Sequence, residues 1–214
     1  MSDDRDIVVA RIREALENRR EGLESPPETE EIAQLLPAVG DLLEDFSAWM
    51  DALSGEIRCC PEAELGTTVA ELAKTHGWQR PAIHEAEMAR WAIGHGDWAD
   101  GALVWGADDV TPEMLERCDV GITTCAALVA QTGSVLVDTK TAGGRVLSIL
   151  PPHHLVIARR EQLVADLPAA MALVDGEASM ISLHTGPSRT GDIERILVLG
   201  AHGPKQLTVV VVDG

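Results

Sequence analysis

Tyrosine is absent from this 214-residue chain and phenylalanine occurs once, so aromatic residues make up only 3% of it. A core of stacked rings is excluded, and burial falls to the aliphatic residues within a hydrophobic content of 45%. Bases are scarce as well. Lys and Arg number 17 against 35 Asp and Glu, a net charge of -18. The bases are scattered, which argues against a nucleic-acid surface and against an anionic membrane. The four cysteines, Cys59, Cys60, Cys118 and Cys125, form no Cys-x-x-Cys pair, so no iron-sulfur cluster is expected in this chain. No apolar run approaches ~18 residues, and the acidic start Met1 to Asp6 is unlike a secretory signal, so the expected setting is the reducing cytoplasm, with no membrane insertion. Dinucleotide, Walker, nucleophile-elbow and His-Glu-x-x-His patterns are also missing, which leaves the familiar dehydrogenase, kinase and hydrolase readings without support.

What is present fits one sizeable α/β domain with a small appendage. Residues 1–64 carry 17 acids against 6 bases. Residues 181–214 are balanced, with Asp192, Glu194 and Asp213 against Arg189, Arg195 and Lys205. The tail can therefore accept an anion that the front of the chain would repel. Val8, Ile12, Ala15 and Leu16 fall on one stripe of a first helix, which Ser25-Pro26-Pro27 interrupts. Val39, Leu42, Leu43, Phe46, Trp49, Met50 and Leu53 mark a second helix with Gly55 as its stop. Its aromatic stripe fits a core-facing helix and also a docking face.

From Glu56 onward short apolar strands alternate with helices. Strands are expected at 56–60, 82–84, 102–105, 120–123, 134–138, 155–158, 179–183, 196–199 and 207–212, with 146–150 completing a hairpin with 134–138. Helices are expected from a Thr68/Glu71 capping box to Gly77, from Thr111-Pro112 to Cys118, over 124–131 and over 161–174. This order implies a largely parallel sheet covered on both faces, with some antiparallel pairing late in the chain. The division is expected near residue 55, between a helical N-terminal extension (1–55) and an α/β domain (56–214).

Chemistry concentrates in two polar loops between apolar runs, Gly186 to Glu194 and Gly200 to Lys205. The first reads as a turn leading into a short helix capped by Ser188 or Thr190, with Asp192 and Glu194 in its first turn. Free backbone N–H groups there attract anions, and Arg189 can add a bidentate contact. The two acids can equally serve as a local cap. His202, between Gly200 and Gly203-Pro204, suits a ligand donor or a general base near neutral pH. Thr123-Thr124 sits at the carboxyl end of a strand, where open α/β sheets bind ligands, and the two polar loops are expected at carboxyl strand ends beside it. Cys125, one residue on, is either a thiol activated by a helix start or a small buried residue. His153-His154 does not suit a shared metal, because neighbours on a strand point to opposite faces.

Five runs taken together resemble the lactate-utilization protein C family, whose common unit is the LUD domain. They are Asp119 to Thr123, Ala130-Gln131-Thr132-Gly133-Ser134, Leu150 to His154, Gly186 to Glu194 and Gly200 to Pro204, in this order between Val104 and Gly214. The resemblance implies a three-layer α/β fold similar to ribose-5-phosphate isomerases, CoA transferases and 5-formyltetrahydrofolate cyclo-ligases. It also implies a non-redox subunit of a cytoplasmic complex that oxidises L-lactate, with iron-sulfur clusters in the partner subunits. The implied site for an anionic ligand or a partner is Thr123, Thr124, Gly186, Ser188, Arg189, Thr190, Asp192, His202 and Gly203. The other reading is a stand-alone enzyme acting on a phosphorylated sugar, a CoA ester or a folate. Where the family carries Ala-Glu-Thr-Gly-Thr this chain has Gln131, which cannot ionise to serve as a general base.

Overall fold

The computed structural model describes residues 3–20, 40–84, 87–94, 98, 101–174, 176, 178–190, 198–199 and 203–213. The chain forms two compact units, Met1–Leu36 and Pro37–Gly214. Within the first, α1 (Asp3–Arg20) is a single helix along which Ile7, Val8 and Ile12 are exposed. The Ser25-Pro26-Pro27 interruption lies outside the described residues.

The second unit begins with α2 (Leu42–Ala52). Asp41 caps it, accepting from the backbone N–H of Leu43 at 2.9 Å and of Glu44 at 3.0 Å, and Glu44 and Asp45 complement the dipole in its first turn. Phe46 and Met50 are fully buried against Leu128, Val135 and Val209. The division between units thus falls before α2, which packs into the body, and not near residue 55. The left-handed residue after the helix is Ser54 (φ 62°), where Gly55 was expected to serve. Gly55 has a packing role, since a Cβ there would lie 2.5 Å from the Met50 methyl carbon.

Six strands form an all-parallel sheet in the order β1-β12-β7-β4-β2-β3. They are β1 (Glu56–Pro61), β2 (Pro81–Ile83), β3 (Leu103–Val104), β4 (Val120–Thr123), β7 (His153–Arg159) and β12 (Gln206–Asp213). β12 is apolar on both faces, and both are covered. Val210 and Val212 meet Leu65, Val69, Leu72, Ala89 and Ala92 of α3 (Leu65–His76) and α4 (Glu87–Ile93). Leu207, Val209 and Val211 meet α2 and a second sheet. That second sheet runs β8-β5-β6-β9, from β8 (Leu163–Val164), β5 (Ala127–Val129), β6 (Ser134–Asp138) and β9 (Ile181–His184). β6 is antiparallel to both β5 and β9. Helices, parallel sheet and second sheet give the three layers expected, and among the described residues antiparallel pairing is found in the second sheet and in a short separate pair at 189–190 and 198–199.

Several local expectations are corrected. Residues 124–131 form no helix. Ala127, Leu128 and Val129 form β5, buried on both faces, with Leu128 turned to the central core and Ala127 and Val129 toward Ala170 of α6 (Leu167–Met171). A short apolar run buried on both sides carries no period that separates helix from strand. The helix expected over 161–174 shrinks to α6, because Leu163 and Val164 pair with Leu128 and Val129. The Asp166 side chain then caps α6 through the Ala169 N–H at 2.8 Å. Residues 146–150 are turns, since both edges of β6 are already taken by β5 and β9. Thr68 lies inside α3, which starts earlier, at the fully buried Leu65, and ends as expected at Gly77 (φ 71°). A four-residue helix, α5 (Pro112–Leu115), follows Thr111.

If α2 belongs to the core, Phe46→Ala should lower unfolding free energy by about 3–5 kcal/mol in urea titration. A loss within ~0.5 kcal/mol would mean that the helix is a dispensable appendage.

Candidate functional site

β9 ends at His184, and the chain turns through Thr185 and Gly186 (φ 75°). This turn rests on the last turn of α2: a Cβ at Gly186 would stand 2.9 Å from Leu53 Cβ and 3.0 Å from its carbonyl oxygen. The β5–β6 turn rests on the same helix end, where a Cβ at Gly133 (φ 62°) would lie 2.4 Å from Trp49 Cβ. Any residue but glycine would be opposed at both places by left-handed backbone and by contact. A hydroxyl chain ties the two turns together. Ser134 Oγ lies 2.8 Å from Thr132 Oγ1 and 2.7 Å from Thr185 Oγ1.

The second polar loop packs against the first. A Cβ at Gly203 would approach Ser188 Cβ to 3.2 Å, the Ser188 N–H donates to Pro204 O at 2.9 Å, and the Lys205 N–H donates to Pro152 O at 2.8 Å. Gly186, Ser188, Arg189 and Gly203 are thereby gathered around one cavity of about 450 Å³, which His154, His184, Ile149 and Leu207 also line. Arg189 is exposed and is the only charged side chain among the described lining residues.

The cavity does not lie where the sequence suggested. Gly203 to Lys205 feed the start of β12 and Pro152 precedes β7, so the loops stand at the amino ends of parallel strands. The carboxyl-end expectation overlooked the second sheet, to which β9, the strand before Gly186, belongs. Thr123, at the carboxyl end of β4, reaches the cavity through one side chain, with its Oγ1 2.9 Å from His154 Nε2. Thr124 faces elsewhere, donating from N–H and Oγ1 to Thr141 O at 3.1 and 3.0 Å. A helix capped at Ser188 is not formed, because Arg189–Thr190 form β10, antiparallel to β11 (Val198–Leu199), and one capped at Thr190 would run outside the described residues. Thr190 is thus a strand residue opposite Val198. Asp192, Glu194 and His202 lie outside the described residues.

Two histidines emerge that sequence reasoning did not select. His153 and His154 do point to opposite faces. His153 Nε2 lies 2.8 Å from Thr208 Oγ1, and its ring meets Trp78 and His76 edge-on at 4.6 and 4.7 Å. His154 faces the cavity, 5.0 Å between centroids from His184. Strand alternation carried the missing signal, since of two neighbouring histidines one had to lie on the side of the loops.

All three of these histidines are held neutral near pH 7. Burial, reinforced by His76, lowers His153 to about 4. Burial lowers His184 to about 4, and burial with the neighbouring His184 and His153 pushes His154 well below 6.5. Cys125 is buried with no helix start beside it, and burial pushes its thiol up to about 12. The inert reading of this residue therefore holds over the activated one. No group of three His, Cys, Asp or Glu side chains close enough to hold a metal occurs among the described residues.

The fold is thus an open parallel α/β sheet backed by a second sheet, with a polar cleft between loops at the strand ends. The LUD domain model matches residues 29–212, and the chain belongs to the LUD domain family. Lactate utilization protein C of Geobacillus sp. (strain WCH70) is 27% identical over 190 residues, covering 80% of this chain and 78% of that protein. The namesake proteins of Macrococcus caseolyticus and Deinococcus radiodurans are each 34% identical over 126 and 102 residues, and the matches span about half of those proteins, 54% and 48%. The crystal structure of a DUF162 family protein from Deinococcus radiodurans shares the fold, with a TM-score of 0.63 at 22% identity over 80% of this chain and 96% of that one.

The depressed histidines make stability pH-dependent. His153 releases its proton at about 4 when folded and near 6.5 when unfolded, so its contribution is complete above pH 6.5 and is lost as pH falls through 4. Between pH 7.5 and 4.5 the folded protein should lose on the order of 1–3 kcal/mol for His153 and a similar amount for His184. His153→Gln should remove about one share of that loss in paired urea titrations. An unchanged pH dependence would contradict the assignment.

Proposed function

We propose that this chain acts in lactate utilization as the non-redox subunit of a cytoplasmic complex that oxidises L-lactate. Its cavity would bind an anionic ligand or an anionic group of a partner subunit, with iron-sulfur clusters carried by the partners. The observation that carries this reading is convergence. Residues of four of the runs behind the family resemblance, at 132–134, 152–154, 186–189 and 203–204, meet around or directly beneath one cavity with Arg189 at its rim. The relatives' shared name supplies the pathway. Among the described residues no helix is long and apolar enough to cross a membrane.

A stand-alone enzyme acting on a phosphorylated sugar or a CoA ester fits less well. Multiply charged groups are bound by clustered cations, and one arginine is what the described lining offers. Gln131 also removes the carboxylate that a general-base mechanism would draw on at that position.

Deleting the gene should abolish growth on L-lactate as sole carbon source while growth on glucose persists. A plasmid copy should restore growth, and an Arg189→Ala copy expressed to the same level should restore it poorly. Affinity purification from lactate-grown cells should bring down cysteine-rich iron-sulfur proteins. Normal growth of the deletion strain, with no second copy in the genome, would contradict the proposal.

A further inference from the structure

A cavity of about 510 Å³ lies at the β3 edge of the parallel sheet and shares no lining residue with the cleft at Arg189. Its origin is the connection from β3 to β4. Residues 105–119 are close to the shortest chain that a parallel crossover allows, and their helix, α5, is a single turn. That turn covers the sheet with Leu115, which is fully buried, but leaves Leu103, Val104 and Val110 half-buried and Met114 40% exposed. These four side chains, with Ala102, form an apolar wall on which the chain itself places nothing.

The charged side chains among the described lining residues are Arg80, Arg117 and Asp109. Arg117 is exposed and makes no hydrogen bond or ion pair among the described residues. Arg80 stands 3.7 Å from Asp119 Oδ1, too long for a hydrogen bond, while Asp119 Oδ2 is held by the backbone N–H groups of Gln79 and Arg80 at 2.9 Å. Both guanidiniums therefore keep donors for a ligand. Cys118 adds no negative charge, since burial raises its thiol and the thiol donates to Met114 O at 3.5 Å.

The chemistry of the ligand follows from these groups. Planar guanidiniums suit a carboxylate, and a second negative charge on the ligand would meet Asp109. No aromatic ring occurs among the described lining residues, and the unbranched Met114 can follow the shape of a flexible chain. We infer that this cavity binds an aliphatic monocarboxylate of medium chain length, with its carboxylate at Arg117 and Arg80 and its chain along Leu103, Val104, Val110 and Met114. The site is separate from the cleft at Arg189, and neither depends on the other.

The test is calorimetric titration of the purified full chain with butyrate, octanoate and octanol, with backbone amide shifts followed by NMR. Each buried methylene adds about fourfold in affinity, so octanoate should bind about thirtyfold or more tightly than butyrate. Octanol, which keeps the chain and lacks the charge, should bind about tenfold more weakly than octanoate. Arg117→Ala should weaken octanoate by about fivefold to tenfold and leave octanol unchanged, with an unaltered thermal transition because Arg117 is exposed and unpaired. The amide shifts should centre on 102–104, 107–110 and 114–118. Octanoate binding no better than butyrate, or equally well to Arg117→Ala, would overturn the inference. Shifts confined to 182–190 and 203–207 would place the acid in the Arg189 cleft, overturning this site and leaving the reading of that cleft intact.

Discussion

The contact on which the site depends is the seat that the last turn of α2 gives to two glycine turns. Trp49 lies under Gly133, and Leu53 lies under Gly186. These turns come from distant parts of the sequence and from different connections of the second sheet, yet they share one support and are tied by the Thr132, Ser134 and Thr185 hydroxyls. The buried side chains of Phe46 and Met50 fix the helix in the central core. The packing of the core is thus passed directly to the loops that line the cavity.

Electrostatics take second place in a chain of net charge -18. Opposite signs meet on the surface of the body at Arg159 with Glu62 and at Arg160 with Asp213. Such exposed pairs add little stability. The cavity lining departs from the rest of the chain, having no acidic side chain among its described residues, one arginine and two neutral histidines. An anion repelled by the chain as a whole meets less repulsion there.

Much of this was legible in the sequence. The parallel sheet followed from apolar runs such as Leu207 to Val212, which are buried on both faces, and β4 and β6 fall at their expected residues. The convergence of the Gly186 and Gly203 loops was legible too, since both interrupt apolar strands close together in the chain. Three things were not. Thr124 to Gln131 is short and apolar on both sides, so local pattern cannot tell strand from helix there. Whether a loop stands at the amino or the carboxyl end of a parallel sheet depends on which sheet the preceding strand joins, a long-range property. His184 falls one residue beyond the strand expected at 179–183, and its place beside the cavity emerges only when β9 is set against β6 and opposite His154.

The central claim is that the Gly186 loop, carried on the end of α2, and the Gly203 loop packed against it form the recognition surface of this chain. Hydrogen–deuterium exchange tests it most directly, comparing the isolated chain with the chain in the complex purified from lactate-grown cells. The account predicts protection concentrated in peptides spanning 182–190 and 203–207, with the outer β3 edge unchanged. Protection confined to other surfaces, with these two segments exchanging as in the isolated chain, would contradict it.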